Sequence, residues 1–124
     1  MFKLPKNQKL CNKKVIDRLF TNGKSISEKP FRAIWDIEKA NDDIYTKVLI
    51  IVSKKRLKLA VERNFMKRRV KEAYRFHKRK MEYVLQKENK RLNLAIIYQH
   101  EKTIEYNMIE TKINLLLTRL IQDL

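Results

Sequence analysis

Residues 60–75 read AVERNFMKRRVKEAYR. Wound at about 100° per residue, the stretch and its continuation sort into faces. Met66, Val70, Ala73, Tyr74, His77 and Met81 share an apolar arc suited to a core. The adjacent arc carries Asn64, Lys67, Arg68, Lys71, Arg75, Lys78 and Arg79, and no acid interrupts it. The spacing predicts one long helix from Ala60 to Leu85, fixed against a core by one side. Phe65 and Phe76 lie on the far flank, where packing under a neighbouring element is expected and base stacking is the alternative.

From Lys54 to Lys80 there are thirteen Lys or Arg against two Glu. A solvated helix face normally mixes signs at i and i+4, because such pairs support the helix. A single-sign stripe forgoes that support and calls for an outside partner. Phosphates along a nucleic-acid backbone are its natural complement. Asn64, in the first turn of the same arc, can donate and accept toward sugar or phosphate. His77 has no carboxylate and nucleophile beside it in the pattern, so it reads as a satisfied or partly exposed histidine and not a catalytic one.

The whole chain repeats the message. Its 124 residues carry a formal net charge of +16, and such an excess repels itself unless a polyanion relieves it. A hydrophobic fraction of 44% supports one folded domain, residues 1–124. Cys11 is the single cysteine, which excludes an intrachain disulfide and a cysteine zinc cluster. The longest apolar runs, Val48–Val52 and Leu94–Tyr98, are strand-sized and cannot span a bilayer. The opening MFKLPKNQKL lacks the apolar stretch of a secretory signal, so a cytoplasmic protein is expected.

Around the long helix the other elements fall into order. Asn12 can cap a short helix with Val15, Ile16, Leu19 and Phe20 at helical spacing. Asn22-Gly23 ends it, with Gly23 expected in the left-handed conformation. A strand from Phe31 to Ile37 puts Phe31, Ala33, Trp35 and Ile37 on one face, so Arg32 must leave the core side. A second strand, Thr46–Ser53, is expected to pair with it as a hairpin across EKANDD. Leu94–Tyr98 reads as a buried third strand, and Thr103 can cap a last helix burying Ile109, Ile113, Leu116, Leu117 and Leu120. The order αββαβα defines an α+β domain with a small sheet packed by helices.

With these residues in place, VSKKRLKLAVERNFMKRRVKEAYR (residues 52–75) resembles the signature of the protein subunit of bacterial ribonuclease P. Val52, Ser53, Lys54, Lys55, Ala60, Val61, Arg63, Asn64, Lys67, Arg68, Lys71, Glu72, Ala73 and Arg75 carry the match. A basic lead-in with Leu10, the run DRLFTNGKS and a strand beginning at Phe31 extend it along nearly the whole chain. Phe65 replaces the last cation of the Arg-Asn-Arg core, RLKL is a longer spacer without glycine, and Leu49 and Ile16 also depart from the pattern.

The resemblance implies a mixed sheet with a left-handed β-α-β crossover around the long helix, against the usual hand. It implies two RNA partners: the ribonuclease P RNA subunit, and the single-stranded 5′ leader of precursor tRNA. Lys54, Lys55, Arg63, Asn64, Lys67, Arg68, Lys71 and Arg75 become contacts to the catalytic RNA. Ile16 and Phe20 on the first helix, with Arg32 and Ile34 on the sheet, become the leader cleft, although apolar residues at helical spacing also serve a core. Hydrolysis belongs to the RNA, with magnesium held mainly by it, so no catalytic residue, protein metal site, small-molecule cofactor or membrane is expected.

The same residues admit other readings. A ribosomal or general structured-RNA-binding protein would use the same helix. A DNA reader would need a helix-turn-helix, but strands flank the helix on both sides. A membrane-surface helix would lose the apolar face its core needs. A protein nuclease would need paired carboxylates at metal-ligand spacing, which the sequence lacks.

Overall fold

The computed structural model describes residues 8–124; the first part of the basic lead-in, residues 1–7, lies outside the described residues. The elements are α1 (Lys13–Asn22), β1 (Lys24–Glu28), β2 (Phe31–Lys39), β3 (Thr46–Val52), α2 (Ala60–His77), α3 (Arg79–Glu88), β4 (Lys90–Tyr98) and α4 (Tyr106–Asp123). The expected αββαβα order is present, with an added first strand and the long helix divided in two.

The sheet order is β1-β2-β4-β3. The expected hairpin between Phe31–Ile37 and Thr46–Ser53 does not form: β4 lies between them, antiparallel to β2 and parallel to β3. The reason is burial. Residues 91–96 are all buried, so β4 needs neighbours on both edges and cover on both faces. The hairpin that does form joins β1 to β2 around the cis Lys29-Pro30 bond. Strand β1, KSISE, is a polar edge with one apolar side chain, Ile26, which explains why alternation did not announce it. Units β3, α2, α3 and β4 form the crossover that joins the parallel pair.

One face of the sheet presents Phe31, Ala33, Trp35, Val48, Ile50, Val52, Leu92, Leu94, Ile96 and Tyr98 to the main core. Helix α2 supplies Met66, Val70, Ala73 and Tyr74, α3 supplies Met81 and Leu85, and α4 supplies all five residues expected of it. The expected continuous helix bends at Lys78, which keeps right-handed helical angles (φ −72°, ψ −19°). The Lys78 carbonyl starts α3 by accepting from the Glu82 amide at 3.0 Å. Its ammonium, half-buried, reaches Gln8 and sits 4.0 Å from Glu82. No glycine or proline marks the bend. Helix α3 stops at Asn89, whose φ of 54° is the left-handed position the sequence reading assigned to Gly23. Helix α4 begins after Glu105, not at a Thr103 cap.

The opposite face is covered by α1. Asn12 caps it as expected, its Oδ1 accepting from the amides of Lys14 and Val15 at 3.0 and 3.3 Å. Leu19 is fully buried against Leu10, Ile34 and Ala95. Gly23 has a φ of −68°, which any residue can adopt. Its role is close approach: a Cβ there would lie 2.4 Å from the Leu19 carbonyl oxygen and 2.9 Å from Ile34 Cγ2. Gly23→Ala is therefore expected to force α1 off the sheet and cost about 1–3 kcal/mol, the usual penalty for overpacking. Urea unfolding measures it, and unchanged stability would show that the helix end yields freely.

Polar groups pin the middle of α1. Arg18 donates to Asp36 at 3.0 Å and Glu38 at 3.1 Å. Buried Asn93 donates to the same two carboxylates at 3.0 and 2.9 Å. Arg91, also buried, is satisfied by the Ile44 carbonyl (2.9 Å), Glu38 (3.4 Å), Asn41 (3.1 Å) and Asp42. Burial alone would push the Glu38 carboxyl up, yet hydrogen bonds from Asn93 and Arg18 and the charges of Arg91 and Arg18 hold it below the usual carboxylate range. A depressed folded value stabilises above the unfolded carboxylate pKa and loses that contribution as pH falls through the folded value. Glu38→Gln is thus expected to flatten the acid limb of the stability–pH curve, and an acid limb of unchanged steepness would assign it to other carboxylates.

Candidate nucleic-acid interface

The basic arc runs along α2, partly exposed, and follows the turn before it. Lys54 and Lys55 leave β3 in an exposed turn, anchored by the buried Leu57. Arg63 does not project freely: its guanidinium donates to the carbonyl oxygens of Leu57 and Lys58 at 2.9 and 2.7 Å. It therefore braces the turn that carries Lys54 and Lys55, a role no spacing could reveal. Asn64 and Arg68 are exposed, while Lys67, Lys71 and Arg75 are half-buried.

Lys71 carries an electrostatic cost in the free protein. Burial, then the neighbouring charges of Lys9 and Lys67, hold its ammonium below the usual lysine range. Lys78 is lowered too, mainly by burial. Lys78 has Glu82 beside it, whereas Lys71 faces Lys9 and Lys67, a grouping that favours an anion approaching from outside.

The N-terminal segment links this arc to the far side of the sheet. Lys9 pairs with Val48 on the edge of β3, and the Leu10 amide donates to the Val48 carbonyl at 2.9 Å. Beyond that edge lies the α1 face. Two rows of residues in register cross it: Arg32–Ile97–Ile51 and Ile34–Ala95–Leu49. Helix α1 packs on Ile34 and Ala95, and both are buried. Arg32, Ile97, Ile51 and Leu49 remain half-buried, so an apolar strip with one cation runs beside the helix.

The four residues expected in a cleft thus occupy different depths. Ile34 is its floor, covered by α1. Ile16 is half-buried against the same cluster. Phe20 is 45% exposed, which removes it from the core that helical spacing suggested. Arg32 points to this face and donates to Ser25 Oγ at 3.2 Å. Leu49, Ile51 and Ile97 were not expected on this face, although the alternation of β3 carries the signal for the first two: Val48, Ile50 and Val52 take the core side. Phe65 and Phe76 are 41% and 71% exposed, so the expectation that they pack under a neighbour is wrong. His77 is half-buried and partnered, as expected, with Nε2 3.4 Å from Glu110.

Among the described residues no three His, Cys, Asp or Glu side chains come together as metal ligands. The Asp36–Glu38 pair is already occupied by Arg18, Asn93 and Arg91. The described residues therefore offer no fit for a resident metal ion. No described helix is long and apolar enough to cross a membrane.

A small α+β fold with a cationic helix face and, on the other side of its sheet, a half-buried apolar strip beside exposed Phe20 belongs to the class of basic nucleic-acid-binding proteins. A family model described as Ribonuclease P matches residues 4–121. The ribonuclease P protein component of Porphyromonas gingivalis is 30% identical over 109 residues, covering 88% of this chain and 80% of that protein. Among solved structures, the RNase P protein of Staphylococcus aureus aligns with a TM-score of 0.69 at 22% identity, over 91% of this chain and 94% of that one. The RNase P protein from Thermotoga maritima aligns at 0.66 and 22%, over 90% and 96%. The chain belongs to the ribonuclease P protein family.

Proposed function

We propose that this chain is the protein component of a ribonuclease P holoenzyme that removes the 5′ leader from precursor tRNA, working in the cytoplasm. The observation that carries the reading is the unbroken cationic arc of α2, within a chain of this family. In this reading Lys54, Lys55, Asn64, Lys67, Arg68, Lys71 and Arg75 meet phosphates of the catalytic RNA, and Arg63 holds the turn that presents the two lysines. Phe20 and Arg32 meet the leader, with Ile16, Leu49, Ile51 and Ile97 as apolar walls above Ile34.

In this reading hydrolysis and its magnesium belong to the RNA. The protein supplies positive charge, which lowers the repulsion between two polyanions, and a cleft that fixes the leader. Positioning the substrate in this way raises the rate without a protein nucleophile.

Reconstitution tests the reading. Purified protein with magnesium is expected to leave precursor tRNA intact; adding the cognate RNA is expected to give leader removal at lower magnesium than the RNA needs alone. Cleavage by protein alone that survives ribonuclease treatment of the preparation would overturn it. So would an RNA whose magnesium requirement ignores the protein.

A further inference from the structure

Phe65 stands in the first half of α2, one residue after Asn64 and between the exposed basic arc and α4. Its ring is held by a cation. The Arg69 guanidinium lies 5.1 Å from the Phe65 centroid and 5.6 Å from the Tyr106 centroid on α4, joining the two helices. Glu72, at 3.8 Å, steadies the same guanidinium. A phenyl ring fixed by a guanidinium and still 41% exposed is an aromatic surface set out for a partner.

The neighbours say which partner. One turn along the helix lie Arg68 and Arg69, and Asn64 precedes the ring. A protein partner offering an apolar pocket would have to bury these charges, whereas a nucleotide offers a flat base for the ring and a phosphate for the cations. We infer that Phe65, held by the Arg69 guanidinium that also lies over Tyr106, is a stacking site for one unpaired base of the RNA bound by α2. The inference rests on the RNA-binding reading of α2 and adds to it a contact that is aromatic and not ionic. It assigns the RNA partner a local feature: an unstacked base beside the phosphates gripped by Asn64 and Arg68.

The test is equilibrium binding of the cognate ribonuclease P RNA over a range of salt, with wild type, Phe65→Leu and Phe65→Trp. Leucine keeps apolar bulk but has no π face, so Kd is expected to rise about fivefold or more with the salt slope unaltered. Tryptophan is expected to hold Kd within about twofold, and its added fluorescence to be quenched when the RNA stacks on it. An unaltered Kd for Phe65→Leu with unquenched Phe65→Trp would overturn the stacking site, as would a loss accompanied by a shallower salt slope. A Phe65→Leu effect confined to self-association, read by sedimentation, would give the surface to a second copy instead. Failure of the wild-type protein to bind the RNA would sink the underlying reading, a result distinct from all of these.

Discussion

Replacing both Arg68 and Lys71 by alanine is expected to weaken binding of the catalytic RNA by roughly 10- to 100-fold at moderate salt, with a salt slope shallower by about two. Each lost phosphate contact leaves about one counterion fewer to release. Folding should not suffer. Arg68 is exposed, and Lys71 is a cation whose charged form burial and the charges of Lys9 and Lys67 disfavour in the free protein. Removing it relieves that cost, so the thermal midpoint should hold or rise. Filter binding across a salt series with a parallel melt measures both. Unchanged affinity and slope would return the arc to ordinary solvated surface.

The second large effect is on substrate. Phe20→Leu combined with Arg32→Ala is expected to weaken binding of precursor tRNA to the reconstituted complex, with leaderless tRNA and the catalytic RNA bound as before. The stacking contact of Phe20 is worth about 1–3 kcal/mol if it meets an unpaired base. Arg32 adds a phosphate contact that positions without reading sequence. Because Phe20 is exposed and Leu19 is the buried anchor of α1, the substitution leaves the packing of the helix in place. A loss shared equally by all three RNAs would mean a damaged fold, and no loss at all would place the leader elsewhere.

The parts of this architecture governed by local periodicity were legible in the sequence. The apolar arc of α2, the Asn12 cap, the core face of β2 and the five core residues of α4 follow from spacings of two and 3.6 residues. Strand order was not legible, because β2 and β3 are adjacent in sequence but each gains more by pairing with β4, whose burial on both faces is a property of the whole sheet. The bend at Lys78 was hidden for a similar reason: no breaker residue marks it, and Met81 and Leu85 continue the apolar arc through it. Gly23 was placed correctly as the end of α1 and for the wrong reason, since only the approach of Leu19 and Ile34 shows why a side chain is excluded.

The candidate interface divides along the same line. Charge and spacing located the basic arc, because a single-sign stripe is visible in one dimension. Depth was invisible. The sequence could not say that Ile34 lies beneath α1 while Phe20 stays outside, that Arg63 turns back onto the Leu57 and Lys58 carbonyls, or that Arg69 lies over both Phe65 and Tyr106, on two helices. Side-chain direction, set by tertiary contacts, separates the residues that can reach RNA from those that shape its platform.

In the proposed holoenzyme two RNAs meet this protein on opposite sides of the sheet, the catalytic RNA on α2 and the leader on α1. Site-directed crosslinking separates the two surfaces. In a Cys11→Ser background, Arg68→Cys and Phe20→Cys each carry a photoreactive probe in the complete complex with the catalytic RNA and precursor tRNA. The probe at position 68 is expected to label the catalytic RNA, and the probe at position 20 the leader of the precursor. Both probes labelling the same RNA, or position 20 labelling leaderless tRNA as strongly as precursor, would overturn this arrangement.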